Sequence, residues 1–149
     1  MIRRFDENPV ENKKYVTRHG VYAIIIKSRK LLITFQASPH NEYQLPGGGV
    51  DLGESYLRAL HREALEETGW TISPRLKLGI FQRYVFMPEY NLWARKVCHI
   101  YLCHAVLKKS KPLHDDHSPI WKNPAQALEI LHNSGDKYFL KLAILKGYV

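Results

Sequence analysis

The chain is poor in the features that mark secreted, membrane-bound or multidomain proteins. It holds two cysteines in 149 residues, too few for the disulfide framework of a small secreted fold. Cys98 and Cys103 stand an odd number of positions apart in a strand-like stretch, so their side chains should leave opposite faces and cannot bridge. Both are expected to be reduced and buried. Long apolar runs are missing too. The longest, Val21 to Ile26, is six residues against the about 20 that a membrane-spanning helix needs, so no membrane partner is expected. Met1 to Asn8 puts polar residues where a secretory signal carries its apolar stretch, and the cytoplasm is the expected compartment. Repeats and low-complexity tracts are absent. At roughly 100 to 200 residues per domain, residues 1–149 form one domain.

Acidic residues are scarce relative to basic ones, 14 against 22, which leaves a net charge of +8. That balance favours phosphate-bearing partners without distinguishing nucleotide, nucleic acid or anionic lipid. The excess is scattered. Lys27, Arg29 and Lys30 surround one expected turn and Lys108, Lys109 and Lys111 another; they read as two solvated strand ends rather than a nucleic-acid stripe.

What is present belongs to an ordinary globular domain, with 45% hydrophobic and 24% charged residues. β-Branched and aromatic residues predict strands over Arg18–Lys27 and Leu31–Gln36, joined as a hairpin at Ser28–Lys30. Between Tyr43 and Val50, Pro46 and three consecutive glycines forbid a regular helix. A helix should follow at once, with Ser55 as N-cap, no Pro or Gly up to Thr68, and Gly69 just past its end. Leu76–Phe86 and Arg95–Leu107 read as two long antiparallel strands, and Ile120–Trp121 as a short one. Asn123-Pro124 opens a helix over Ala125–His132, and Asp136–Lys146 forms the last. This order predicts an α/β fold with helices on both faces of a central mixed sheet.

The first helix carries the chemistry. Glu63, Glu66 and Glu67 fall at i, i+3 and i+4, one stripe beside the buried face formed by Leu57, Leu60 and Ala64. Like charges at those spacings cost about 0.2 to 0.5 kcal/mol per pair in an isolated helix, and Arg62 offsets only part. Mg²⁺ or Mn²⁺ would neutralise them while leaving positions open for water and phosphate. A solvated acidic face is the other reading of such a stripe. Upstream, however, stand Gly47-Gly48-Gly49, the residues a loop uses where a phosphate or metal approaches the backbone.

Taken together, Gly48, Glu54, Arg62-Glu63, Glu66-Glu67 and Gly69, with Ala64 and Trp70 at the two apolar places, resemble the Nudix box over Gly48–Trp70. Trp70 departs from the aliphatic residue more usual there. The resemblance implies the family's α/β/α sandwich and hydrolysis of the diphosphate linkage of a nucleoside diphosphate joined to another group, with Mg²⁺ or Mn²⁺. It implies Glu66 and Glu67 as principal metal ligands, Glu63 as a further ligand or as base towards the attacking water, and Glu54 as an outer or second-metal ligand. A backbone carbonyl of Gly47 or Gly48 would complete the coordination, and Arg62 would orient the carboxylates. One more acid from outside the box is common in the family, and Asp115 or Asp116 in His114-Asp115-Asp116-His117 is the candidate, against a solvated loop.

Substrate choice is less legible. Phe35, Gln36, Tyr43, Gln44, Arg83, Tyr84, Phe86 and Trp93 are candidates for reading a base, against a strong alternative of core and cross-strand packing. Of these, Phe35, Gln44, Arg83 and Tyr84 are taken as the substrate-binding set. Three readings follow: a nucleotide diphosphatase, including one that clears oxidised nucleoside triphosphates; an RNA 5′-pyrophosphohydrolase; and a non-catalytic nucleotide sensor of the same fold. The complete set of acids argues against the sensor. Homodimers are common among such proteins, and the sequence is silent on that point.

Overall fold

The computed structural model describes residues 2–149. Eight strands form one sheet: β1 (Arg3–Arg4), β2 (Val16–Lys27), β3 (Lys30–Gln36), β4 (Glu42–Gln44), β5 (Gly47–Gly49), β6 (Trp70–Met87), β7 (Leu92–Lys108) and β8 (His117–Lys122). Three α-helices complete the fold: α1 (Tyr56–Thr68), α2 (Pro124–Ile130) and α3 (Ser134–Leu145). The main path across the sheet is β1-β6-β7-β2-β3-β4, with β5 paired to β2 and β8 to β3. The sheet is mixed, since β2 runs parallel to β7 and antiparallel to β3.

Strand alternation divides the core in two. Val21, Ala23 and Ile25 of β2 pack with Ala59, Leu60 and Ala64 of α1 on one face. Ile24 joins Phe81, Ile100, Leu131, Phe139 and Leu140 under α2 and α3 on the other. The sandwich expected from the sequence is therefore the fold observed. Cys98 and Cys103 are free, buried, and belong to opposite core clusters, as their odd spacing requires.

Local chemistry sets the element ends. Ser55 accepts the Arg58 N–H at the start of α1, and Gly69 closes the helix with φ 78°. Asn123 and Gln126 form a capping box at α2, with Pro124 in the first turn. The β2–β3 hairpin turns through Ser28 and Arg29, both at positive φ, without the glycine or asparagine that such turns favour. The long strands exceed the sequence expectation. β6 starts at Trp70 and passes through Pro74, and the ladder absorbs that missing N–H with register shifts on either side of the proline.

Candidate active site

The site forms where β5 meets α1. Gly47, Gly48 and Gly49 pair with Tyr22, Val21 and Gly20 of β2, which places the glycine strand under the acidic face of the helix. A Cβ added to Gly48 would lie 2.6 Å from Glu63 Cδ and 2.7 Å from each Glu63 oxygen. Only glycine leaves room for that carboxylate. Glu67 is buried, at 6% exposure, and its Oε1 accepts the Gly47 N–H at 3.1 Å.

Arg62 holds the remaining acids. Its Nε and Nη2 donate to the two Glu54 oxygens at 2.7 and 2.8 Å. Nη1 donates to Glu63 at 2.9 Å and Glu66 at 3.2 Å, and Nη2 also reaches the Gly49 carbonyl at 3.0 Å. One planar fork thus joins glycine strand, connecting loop and helix, a geometry that a point-charge ammonium cannot reproduce. Hydrogen bonds from Arg62 hold the Glu54 carboxyl down at about 2. Burial has the opposite effect on Glu63, and pushes Glu67 well above the usual carboxylate range.

The loop between β7 and β8 supplies two histidines. His114 Nε2 lies 3.3 Å from Glu66 Oε2, and buried His117 Nε2 lies 3.5 Å from Glu67 Oε2. Asp115 and Asp116, the acids singled out in that loop, are exposed. The chain turns through exposed His114, Asp115 and Asp116, and burial begins only at His117, where β8 starts.

An open cleft of about 940 Å³ runs from Gly48 and Glu67 through Gln44, Arg83 and Tyr84 to Trp93. Three of the four expected substrate-binding residues line it. Phe35 does not: its ring packs on Tyr43, centroids 5.0 Å apart, because strand alternation gives the cleft to its neighbour Gln36. Tyr22, Lys96 and Asp136 also line the cleft and were not anticipated. Lys96 had a signal, a lone cation between Ala94 and Cys98 on one strand face. Asp136 reads as an ordinary first-turn acid of α3, yet it is 2% exposed and accepts the Leu45 N–H at 3.3 Å. Burial raises its carboxyl to about 6 and the Tyr22 hydroxyl to about 12. Among the described residues, Arg83 Nε is the buried side-chain polar atom without a hydrogen-bond partner; Asp6 Oδ2, at 3.8 Å, is beyond hydrogen-bond reach.

A Nudix domain model matches residues 16–143. The chain belongs to the Nudix family. Over 74 residues, half of each protein, it is 35% identical to a candidate 8-oxo-dGTP diphosphatase of Bacillus subtilis (strain 168). Over 78 residues it is 36% identical to an RNA pyrophosphohydrolase of Ruthia magnifica, covering 50% of this chain and 43% of that protein. The chain thus spans half or less of the length of these curated relatives. A Nudix hydrolase from Nitrosomonas europaea superposes with a TM-score of 0.68 at 18% identity, over 85% of this chain and 87% of that one. A MutT Nudix hydrolase from Burkholderia pseudomallei gives 0.65 at 24%, over 85% and 97%. These likenesses place the Nudix fold on the chain.

The family generally uses divalent metals such as Mg²⁺ or Mn²⁺. The donors here suit such an ion in kind: four carboxylates and backbone carbonyls, all hard oxygen ligands, beside a glycine whose missing Cβ makes room for Glu63. Among the described residues no three His, Cys, Asp or Glu groups converge as a metal cluster, since Glu54, Glu63 and Glu66 turn onto Arg62. Charge neutralisation of the stripe falls to the guanidinium in this arrangement.

Proposed function

We propose that the protein is a divalent-metal-dependent hydrolase of the diphosphate linkage in nucleotides, acting foremost on nucleoside triphosphates, including those with oxidised purines. One observation carries the reading: buried Glu67 and the glycine strand line a cleft whose volume is in the range of small-molecule sites, and Arg62 gathers Glu54, Glu63 and Glu66 against that strand. A divalent cation bound there would neutralise phosphate oxygens and lower the pKa of attacking water. Glu66 and Glu67 would hold it, with Glu54 and a Gly48 or Gly47 carbonyl as further ligands. Glu63, whose carboxyl is raised by burial and lies against Gly48, would ligate the ion or accept the proton of that water. Arg62 orients three of the acids. At the far end of the cleft, Tyr84 and Trp93 offer rings for stacking, and Gln44 and the unpartnered Arg83 Nε offer donors to a base edge or phosphate.

Removal of pyrophosphate from RNA 5′ ends is the second reading, favoured by the names of several relatives and by the net charge of +8. A panel of nucleoside triphosphates, 8-oxo-dGTP, sugar nucleotides, dinucleoside polyphosphates and triphosphorylated RNA, ranked by kcat/KM, tests both. Mg²⁺-dependent release from a triphosphate that is lost in Glu66→Gln is the expected result. Inertness towards the whole panel, with tight nucleotide binding, would instead establish a sensor.

A further inference from the structure

The two lysine groups that lie far apart in the sequence meet at one end of the sheet. Lys27 pairs with Lys30 across the β2–β3 hairpin, and Lys108 pairs with Trp70 where β6 and β7 end. Opposed residues on paired strands share a face. Ile25, Leu32, Trp70 and Trp121 all belong to the core cluster under α1, and strand alternation carries Lys27 and Lys30 onto that same face. The lysines are exposed. Lys27 and Lys30 line a notch of about 310 Å³ with Ser28, Trp70 and Trp121, and Lys108 stands across the ladder from Trp70.

The indoles meet edge to face, centroids 5.5 Å apart at 87°, and the Lys27 ammonium lies 5.2 Å from the Trp70 ring centroid. Neither Trp is fully buried. Among the described residues Lys27, Lys30 and Lys108 form no ion pair, and residues 12–41, 68–88, 90–114 and 117–128, which include all of β2, β3, β6, β7 and β8, contain no Asp or Glu. The notch is also separate from the catalytic cleft. Lys27 stands seven positions along β2 from Gly20, about 23 Å at roughly 3.3 Å per residue, and none of the notch residues lines the cleft. The loop after β7 connects the two. Lys109 N–H donates to the Gly69 carbonyl, Leu113 N–H to that of Glu66, and His114 reaches the Glu66 side chain.

We propose that this end of the sheet binds single-stranded polynucleotide, with a base against the indoles and phosphates on Lys27, Lys30 and Lys108. Flat ring walls ringed by cations are the means by which proteins hold single strands without reading sequence. A shallow notch walled by indoles admits a planar base, whereas a bilayer is met by projecting side chains and an acidic polypeptide supplies charge without a ring. The site requires neither metal nor the catalytic acids, so it goes beyond the hydrolytic reading and stands apart from it.

The test uses the full chain in EDTA with a 5′-hydroxyl oligouridylate of about 12 nucleotides, within the span such sites cover. Anisotropy is read across salt concentrations, beside phosphatidylserine vesicles and polyglutamate as competing partners. Binding is expected, with quenching of tryptophan fluorescence that survives in Trp93→Phe. The Lys27→Glu/Lys108→Glu variant should bind at least tenfold more weakly and flatten the log–log salt slope by about 1.4, at about 0.7 per lost phosphate contact. Its mononucleotide hydrolysis should be unchanged, and Lys30→Gln should show a smaller loss. Absence of oligonucleotide binding, equal binding by the double variant, or sensitivity of the vesicle or polyglutamate arm alone would overturn the proposal. Failure of the hydrolysis panel would leave these binding arms unaffected.

Discussion

Gly48 and Glu63 occupy one space: a methyl group on the glycine would stand 2.6 Å from the carboxyl carbon of the glutamate. The atom it meets is the end of a flexible side chain, and the Gly48 backbone is not in the left-handed region. Gly48→Ala should therefore keep the fold, within about 1 kcal/mol of wild type, while displacing Glu63 and lowering kcat/KM at least tenfold. Gly47→Ala should behave in the opposite way. Its φ is 156° and its Cβ would fall on the Val21 carbonyl, so a loss of more than about 3 kcal/mol is expected. Chemical denaturation and hydrolysis kinetics on both variants separate the two outcomes.

Arg62→Lys tests the fork. Lysine keeps the charge but cannot donate at once to Glu54, Glu63, Glu66 and the Gly49 carbonyl, as Arg62 does. A fall of about 10- to 100-fold in activity is expected, the usual scale for groups that orient metal ligands. The Mg²⁺ concentration giving half-maximal rate should rise with it. Wild-type kinetics in Arg62→Lys would mean that charge alone matters here.

Glu67→Gln should separate stability from activity. The wild-type carboxylate is 6% exposed and its pKa is raised first of all by burial, so ionisation at neutral pH works against folding when no metal is bound. Glutamine keeps an acceptor for the Gly47 N–H and removes the charge. In EDTA at pH 7 the variant should melt about 2 to 4 °C above wild type, as about 1 kcal/mol would produce in a domain of this size. Metal-dependent hydrolysis should fall at least 100-fold. A variant that is both less stable and fully active would refute the assignment of Glu67 as a ligand.

The acid constellation and its glycine loop were legible in the sequence because they depend on local spacing: helix periodicity, a cap at Ser55, a stop at Gly69. The same locality explains the cleft's surprises. Phe35 and Gln36 differ by one position, and only the pairing of β3 with β4 and β8 decides which faces the ligand. Lys96 and Asp136 reach one cleft from β7 and α3, elements distant in sequence whose approach no local pattern announces. The histidines of the β7–β8 loop were visible as residues, but their approach to Glu66 and Glu67 depends on Leu113 and His114 docking on the end of α1.

Asp136 makes stability depend on pH in a direction unusual for a carboxylate. Burial raises it to about 6 from 3.8, so the native state holds a proton that the unfolded chain has released. Its contribution is complete below about pH 4 and is lost as pH rises through about 6. The difference amounts to about 3 kcal/mol at 1.36 kcal/mol per unit. Asp136→Asn retains an acceptor for the Leu45 N–H and has nothing to ionise. Relative to wild type, its unfolding free energy should therefore improve steadily between pH 4 and pH 6 and level off above, as read by urea unfolding at each pH. A gap that stays constant across that range would show that the carboxyl ionises alike in folded and unfolded chains.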